Sequence, residues 1–292
     1  MAKRIFLFLI TNLAIVVTLS IILSLLGVSG YYTPQGGLNL ESLAVFCFVW
    51  GMGGAFISLA ISRWVAKRAM GIQLVNGETG NQDLDWLYNT IGNLTRQANL
   101  PMPEVGVYDS PEVNAFATGP SKKRSLVACS SGLLRSMSRE EIQGVLGHEV
   151  THIANGDMVT MTLLQGVVNA FVMFLARVIA FGVRQAIDSR AANTVAVRVR
   201  FVLEIVLGIL GSLIVAWFSR QREFRADAGG ASLAGRGAMV GALRRLMSTQ
   251  ERVDVSQAAL ASFKIAGGRP FMQLFATHPP LEARIAALES AR

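Results

Sequence analysis

Hydrophobic residues along the chain are concentrated in four runs that contain no charged side chain. They cover residues 5–26, 43–61, 158–176 and 205–219. A transmembrane helix needs about 20 apolar residues, so the first three runs are long enough and the fourth is shorter. The pattern therefore predicts two to four transmembrane helices, the first of which we interpret as an uncleaved anchor.

A different pattern follows the second hydrophobic run. Apolar side chains between residues 84 and 94 recur at helical spacing, with Leu84, Leu87 and Ile91 on one face. Residues 105–108 and 125–129 are short and rich in strand-forming side chains, and Pro, Gly and Ser bound them. These features predict an α+β domain that is mostly helical and contains a small sheet.

A third helix is indicated by Ser138 followed by Glu141, which is the sequence pattern of a capping box. The helix is expected to begin near Arg139 and to end at the Asn155-Gly156 pair. Beyond the fourth hydrophobic run, residues 229–292 again show helical spacing of apolar side chains and predict a soluble helical segment.

Charge supports a membrane protein and suggests its orientation. Hydrophobic residues make up 52% of the chain and charged residues 16%, and the formal net charge is +8. The loop 27–42 contains no Lys or Arg, whereas Lys3, Arg4 and the basic segment 63–68 flank the first two runs. By the positive-inside rule, both basic flanks belong in the cytoplasm. No basic array with interleaved aromatic residues is present, so nucleic acid is not an expected partner.

The linker between the third and fourth runs conflicts with this rule. It contains Arg184, Arg190, Arg198 and Arg200, and it lies on the outer side if both runs span the membrane. Either the two runs span in spite of this bias, or they form a helical hairpin that dips into or lies against the membrane. The two cysteines, Cys47 and Cys129, are too few for a disulfide framework and indicate a reduced domain.

The run from His148 to His152, with the sequence His-Glu-Val-Thr-His, carries the clearest chemistry. Residues four apart share one face of a helix, so the two imidazoles can bind one metal ion. Glu149 lies next to the first histidine and can accept a proton from a water activated by zinc. The pattern is therefore typical of a zinc peptidase.

A catalytic zinc site needs a third protein ligand. Glu223 is the candidate, and Asp227 follows it by one helical turn. If the third and fourth runs form an antiparallel hairpin centred near residue 190, equal helical rise places Arg177 beside Glu204. The same hairpin returns Glu223 to the end of the His148 helix. We therefore predict both the ion pair and the third ligand from one arrangement.

Taken together, several segments resemble the HtpX proteases, which belong to a zinc metallopeptidase family that also contains the CAAX prenyl endopeptidases. Besides the two N-terminal runs, the resemblance rests on residues 114–119, 147–157, 223–227 and 277–285. It extends over nearly the whole chain. The expected fold is a zincin-like (gluzincin) peptidase domain combined with two to four transmembrane helices.

The resemblance implies roles for single residues. It implies three zinc ligands, which are His148, His152 and Glu223. Glu149 resembles the general base, while Asp227 and Asn155 are similar to residues that surround the ligands.

Two further groups of residues correspond to the family's substrate-handling positions. Asn114, Ala115 and Phe116 are similar to an edge segment that binds the substrate backbone, which fits strand addition to a sheet edge. His278 and Arg284 resemble the groups that stabilise the oxyanion of the tetrahedral intermediate. The alternative for His278 is a structural histidine before a Pro-Pro turn.

The resemblance also implies the division of the chain. Residues 1–68 would form a membrane anchor with two spans, and 158–219 a hydrophobic helical hairpin. Residues 69–157 and 220–292 would be the first and second parts of the peptidase domain.

The resemblance implies a zinc endopeptidase, with one zinc ion per chain, that cleaves misfolded or damaged membrane proteins. The implied location is the bacterial inner membrane, in the lipid bilayer, with several spans and a cytoplasmic catalytic domain. One alternative is an intramembrane site-2-type protease, which the charged residues Arg139, Glu140 and Glu141 of the motif helix disfavour. The other is a non-catalytic membrane chaperone that contains zinc.

Overall fold

The computed structural model of the chain describes residues 2–28, 30–187, 191–256 and 276–290, and the structural statements below concern these residues. The helices are α1 (Ala2–Leu25), α2 (Leu40–Met70), α3 (Gln82–Gln97), α4 (Ser131–Ser136), α5 (Arg139–Asn155), α6 (Asp157–Ala186), α7 (Ala192–Ala234), α8 (Arg236–Ser256) and α9 (Leu281–Ser290). The strands are β1 (Gln73–Val75), β2 (Glu104–Tyr108), β3 (Ala115–Ser121) and β4 (Arg124–Ser130).

The chain divides into two compact units, each of which is made from two separate segments. The first unit comprises residues 1–60 and 160–215, and the second comprises residues 61–159 and 216–292. Long helices dominate the first unit, whereas the second contains the whole sheet and the shorter helices. The fold is thus mostly helical with a small sheet, as the sequence predicts.

Three helices are long and apolar enough to cross a membrane, judged by length and composition among the described residues: α2, α6 and α7. The described apolar part of α1, Leu13–Leu25, is shorter. The fourth hydrophobic run does not stand alone, because it lies in the interior of α7, which has 43 residues. The length of this charge-free run is therefore a poor guide to the length of the helix that contains it.

Close helix contacts in the first unit depend on small residues and on one ion pair. A Cβ atom at Gly51 would overlap with the backbone of Ala170, which shows how closely α2 and α6 approach. Between α6 and α7, Arg177 Nη1 donates to Glu204 Oε1 at 2.9 Å. The predicted pairing of these two charges is confirmed.

The second unit contains a four-stranded mixed sheet with the order β1-β2-β4-β3. β2 pairs with β4 in parallel, and the two outer pairs are antiparallel. The predicted strands 105–108 and 125–129 lie within β2 and β4, so both are confirmed. β3 is an edge strand that begins at Ala115, within the segment 114–116 for which the resemblance implies a substrate-binding edge.

Helices α3 and α5 pack around the sheet and supply its hydrophobic core. Leu87, Ile91 and Leu94 of α3 are almost completely buried, in agreement with the predicted helical face. The capping box of α5 is present: Ser138 accepts from the Glu141 N–H, and Glu141 accepts from the Ser138 N–H. This cap fixes where α5 begins and therefore which residues reach its inner face.

The C-terminal helices form a second, smaller cluster in the same unit. Met239 and Leu243 of α8 pack with Ile285 and Leu288 of α9, which confirms the predicted apolar faces. The helical expectation for residues 257–275 lies outside the described residues.

Candidate metal centre

Helix α5 carries both histidines of the motif on its inner face. His148 and His152 are 7% and 9% exposed, which is low for polar side chains. Glycines allow the neighbouring helices to approach this face closely. A Cβ atom at Gly147 would lie 3.1 Å from the carbonyl oxygen of Gly230 in α7. The local sequence thus brings a second helix within reach of the two imidazoles.

Glu223 is the residue that α7 presents to the histidines, and its side chain is almost completely buried. Its carboxylate oxygens lie 3.4 Å from His148 Nε2 and 3.4 Å from His152 Nε2. Donor atoms of all three residues lie within 4.8 Å of one another. Two imidazole nitrogens and one carboxylate at this spacing form a donor set that suits zinc.

Carboxylates also hold the opposite side of each imidazole ring. Asp227 Oδ1 lies 2.9 Å from His148 Nδ1, and Asp157 Oδ2 lies 2.7 Å from His152 Nδ1. With Nδ1 donating to a carboxylate, the Nε2 atom of each ring is left as the acceptor that faces the other donors. Both rings are therefore oriented for metal binding.

Asp157 is the residue that the sequence reading missed. It begins α6, directly after Gly156, which ends α5 in the left-handed conformation with φ of 70°. This sharp break turns the chain back towards His152. Asn155, expected near the ligands, has an exposed side chain at the end of α5. The sequence shows an Asp shortly after the motif, but whether its side chain points towards His152 depends on the turn at Gly156.

Arg284 and His278 approach the same carboxylates from the C-terminal segment. Arg284 makes two hydrogen bonds to Asp227, with donor–acceptor distances of 2.6 and 2.7 Å, and it is buried. His278 Nδ1 lies 2.9 Å from Glu223 Oε2, while its side chain is largely exposed. Arg222 donates to Glu223 as well, at 3.2 Å, a contact that the sequence reading did not include.

The carboxylates strongly perturb the titration of this cluster. Burial disfavours the charged form of His152, but its bonds to Asp157 and Glu223 raise its pKa to about 9. Burial opposes ionisation of Glu223 too, yet the bonds from His148, His152 and His278 hold the pKa of its carboxyl well below its usual range. A divalent cation bound at this place takes over the role of those protons.

Glu149 and the edge strand line a cleft beside the three donor residues. The cleft has a volume of about 500 Å³, and its polar lining includes His148, Glu149 and Glu223. Asn114 and Ala115, at the start of β3, form part of its wall. The ring of Phe116 instead packs near Tyr108, with ring centroids 6.0 Å apart. Of this segment, the structure thus brings Asn114 and Ala115 to the cleft and turns Phe116 away.

The other lining residues of the cleft are mostly apolar, and many of them come from α8 and from the segment before α9. They include Met239, Leu243, Leu246, Pro279 and Pro280. His278 and Arg284 line the cleft as well. The cleft therefore combines a mostly apolar lining with the charged and metal-binding side chains of the candidate centre.

Comparisons with known proteins agree with this arrangement. Residues 81–292 match the model of peptidase family M48. The chain is 53% identical to a protease HtpX homolog of Thiobacillus denitrificans, covering 99% of this chain and 100% of the relative. It is 50% identical to protease HtpX of Aeromonas hydrophila, covering 98% and 99% of the two chains.

A solved structure shares the fold at lower identity. The crystal structure of S. mikatae Ste24p superposes with a TM-score of 0.64 and 19% identity, over 99% of this chain and 67% of that chain. The family match covers most of the chain and includes every residue of the candidate metal centre. The chain therefore belongs to peptidase family M48, as an HtpX-type metalloprotease.

Proposed function

We propose that the protein is a zinc endopeptidase in which His148, His152 and Glu223 hold one zinc ion and Glu149 is the general base. The observation that carries the proposal is the convergence of these three buried donors within 4.8 Å. Membership in a metallopeptidase family supports a metal at this place. Asp227 and Asp157 fix the ring orientations, which favours an N,N,O site over a chance cluster.

Zinc, when bound, supplies a Lewis acid that lowers the pKa of water to about 7 and polarises a carbonyl group. Glu149 adjoins His148 in sequence and lines the cleft, so its carboxylate is available to accept the proton of the attacking water. The same carboxyl group then delivers that proton to the leaving amine.

Substrate binding fits the edge strand. β3 pairs with β4 on one side and has no strand on its other side among the described residues. A substrate in extended conformation can add to this edge near Asn114 and Ala115, with its scissile bond towards the metal centre. The side chain of Phe116 faces the other way, so we propose a contribution from its backbone only.

His278 and Arg284 are the proposed donors to the oxyanion of the tetrahedral intermediate. His278 is exposed at the cleft, and its Nδ1 lies 2.9 Å from Glu223 Oε2, so the ring lies beside the three donor residues. Arg284 is held by Asp227, and its Nη1 lies 3.7 Å from Glu223 Oε2, next to the donors. The two residues thus differ in burial, and the exposed His278 is the more accessible of the two to a substrate.

We infer that the substrates are misfolded or damaged membrane proteins and that the enzyme lies in the bacterial inner membrane. The relatives at about half identity are named protease HtpX, and three helices are apolar enough to span. The basic flanks of the first two runs favour a cytoplasmic peptidase domain, composed of residues 69–157 and 220–292.

The substitution Glu149→Gln tests the mechanism. The purified variant is expected to retain about one zinc per chain and to lose peptidase activity on an unfolded protein substrate. Glu140→Gln is the matched control, because Glu140 is an exposed acid in the first turn of the same helix. It should retain both zinc and activity. Full proteolysis by Glu149→Gln would refute the general-base role, and loss of its zinc would make Glu149 a ligand.

A further inference from the structure

A second cavity lies within the first unit. It shares no lining residue with the cleft beside the metal centre. It has a volume of about 270 Å³ and is lined by residues of α6, α7 and the loop between α1 and α2. The charged and aromatic residues of its lining are Tyr31, Tyr32, Arg177, Phe181, Arg184 and Arg200. Three arginines in one small cavity require an explanation.

Helix geometry explains how these arginines meet. Arg177 and Arg184 are seven residues apart in α6, which is two helical turns, and therefore share a face. Arg177 pairs with Glu204 of α7 at 2.9 Å. Arg200 lies one turn before Glu204 in α7. Because α7 runs antiparallel to α6, Arg200 lies at a height along the helices between those of Arg177 and Arg184.

The charges in this cavity are not balanced by the described protein groups. Glu204 is the partner of Arg177, and the guanidinium of Arg184 lies over the ring of Tyr32, 5.6 Å from its centroid. The Nε atoms of Arg177 and Arg200 are buried and have no hydrogen-bond partner among the described residues. Buried donors without acceptors are costly, so the cavity favours an anion with several oxygen acceptors.

The position of the cavity along the helices points to the depth of lipid headgroups. The apolar run of α6 ends directly before Arg177, and that of α7 begins directly after Glu204. Tyr31 packs against Tyr32 and Phe46, with ring centroids 5.0 and 5.3 Å apart. Tyrosines concentrate at membrane interfaces because their rings are apolar and their hydroxyls are polar.

We propose that this cavity binds a phosphate-bearing anion, and that the anion is the headgroup of an acidic phospholipid. A phosphate diester offers oxygen acceptors to the planar guanidinium groups of Arg184 and Arg200. The acyl chains of a lipid would also cover exposed apolar side chains of α6 and α7, such as Phe171 and Ile205. The anion would also balance the charges of Arg184 and Arg200, two basic residues of the linker between the third and fourth runs.

The test uses the full-length protein in a neutral detergent, with thermal unfolding as the readout. A ligand that binds only the folded state raises the melting temperature by mass action. Phosphatidylglycerol, phosphatidylcholine and inorganic phosphate are titrated separately. Arg184→Gln/Arg200→Gln removes the two cavity arginines that have no carboxylate partner among the described residues. Arg198→Gln is the matched control, because Arg198 is exposed in the same helix and does not line the cavity.

Phosphatidylglycerol is expected to stabilise the unaltered protein and the Arg198→Gln variant, and to bind the double variant about tenfold more weakly or worse. Stabilisation by inorganic phosphate at equal concentration, with the same dependence on the two arginines, would assign the site to free phosphate. The proposal is overturned if the double variant binds phosphatidylglycerol like the unaltered protein, or if Arg198→Gln loses as much affinity. Peptidase activity in detergent confirms that each variant is folded.

Discussion

The buried pair of Asp227 and Arg284 gives the sharpest prediction about stability. Substitution of Asp227 by Asn keeps the size of the side chain but leaves the Arg284 cation without its two charged acceptors, 2.6 and 2.7 Å away. Removing one partner of a buried pair costs about 3–5 kcal/mol. We expect the lower end, about 3 kcal/mol, because the Glu223 carboxylate remains 3.7 Å from Arg284 as a partial counter-charge.

In a domain of this size, 1 kcal/mol shifts the melting temperature by about 2–4 °C, so Asp227→Asn should lower it by roughly 6–12 °C. The assay is thermal unfolding of the full-length protein in detergent with a chelator, so that zinc does not contribute. The double variant Asp227→Asn/Arg284→Met removes both charges and should recover at least half of the loss. Glu289→Gln, which breaks the exposed pair with Arg244, should cost under about 1 kcal/mol.

Two outcomes would refute this reasoning. A melting temperature of Asp227→Asn within about 2 °C of that of the unaltered protein would mean that Arg284 is not buried as a dependent cation. Failure of the double variant to be more stable than the single variant would mean that the loss has another cause, such as the bond from Asp227 to His148.

Two predictions concern helix packing. Gly144→Ala should destabilise the protein by about 1–3 kcal/mol in chemical denaturation, because its Cβ would overlap with the carbonyl oxygen of Ala238. Gly241→Ala, in the same pair of helices, is the control and should be neutral or stabilising in the same assay. Arg177→Glu or Glu204→Arg alone should reduce the amount of folded protein recovered from membranes, because either change places two like charges side by side. The two reversals together should restore that amount, and failure to restore it would contradict the pairing.

Much of the second unit could be predicted because its signals are local. The capping box at Ser138 and Glu141 marks the start of α5 without reference to the rest of the fold. The strands 105–108 and 125–129 are visible because β-branched residues lie between turn-forming ones. The alternation of side chains did not predict the full length of β3, because Gly119 and Pro120 interrupt its pattern and Gly119 has a φ of 142° beside a bulge. Such a strand is defined by its pairing with β4.

The positions of the site residues divide in the same way. His148 and His152 follow from spacing alone, since four residues span one turn of helix. The position of Glu223 near the histidines follows only if the third and fourth runs form an antiparallel hairpin. The pairing of Arg177 with Glu204 fixes the register of α6 and α7 in that hairpin. Asp157 could not be found in this way, because its approach to His152 depends on the left-handed Gly156 and on the direction in which α6 starts.

X-ray absorption at the zinc edge tests the proposed metal centre most directly. The measurement uses the purified full-length protein loaded with zinc, and the same protein with Glu223→Gln. We expect one zinc per chain, with nitrogen and oxygen ligands only, at about 2.0–2.2 Å, and two of them from imidazole. The Glu223→Gln variant should bind zinc more weakly. A sulfur ligand at about 2.3 Å, or zinc binding that does not depend on Glu223, would contradict the account.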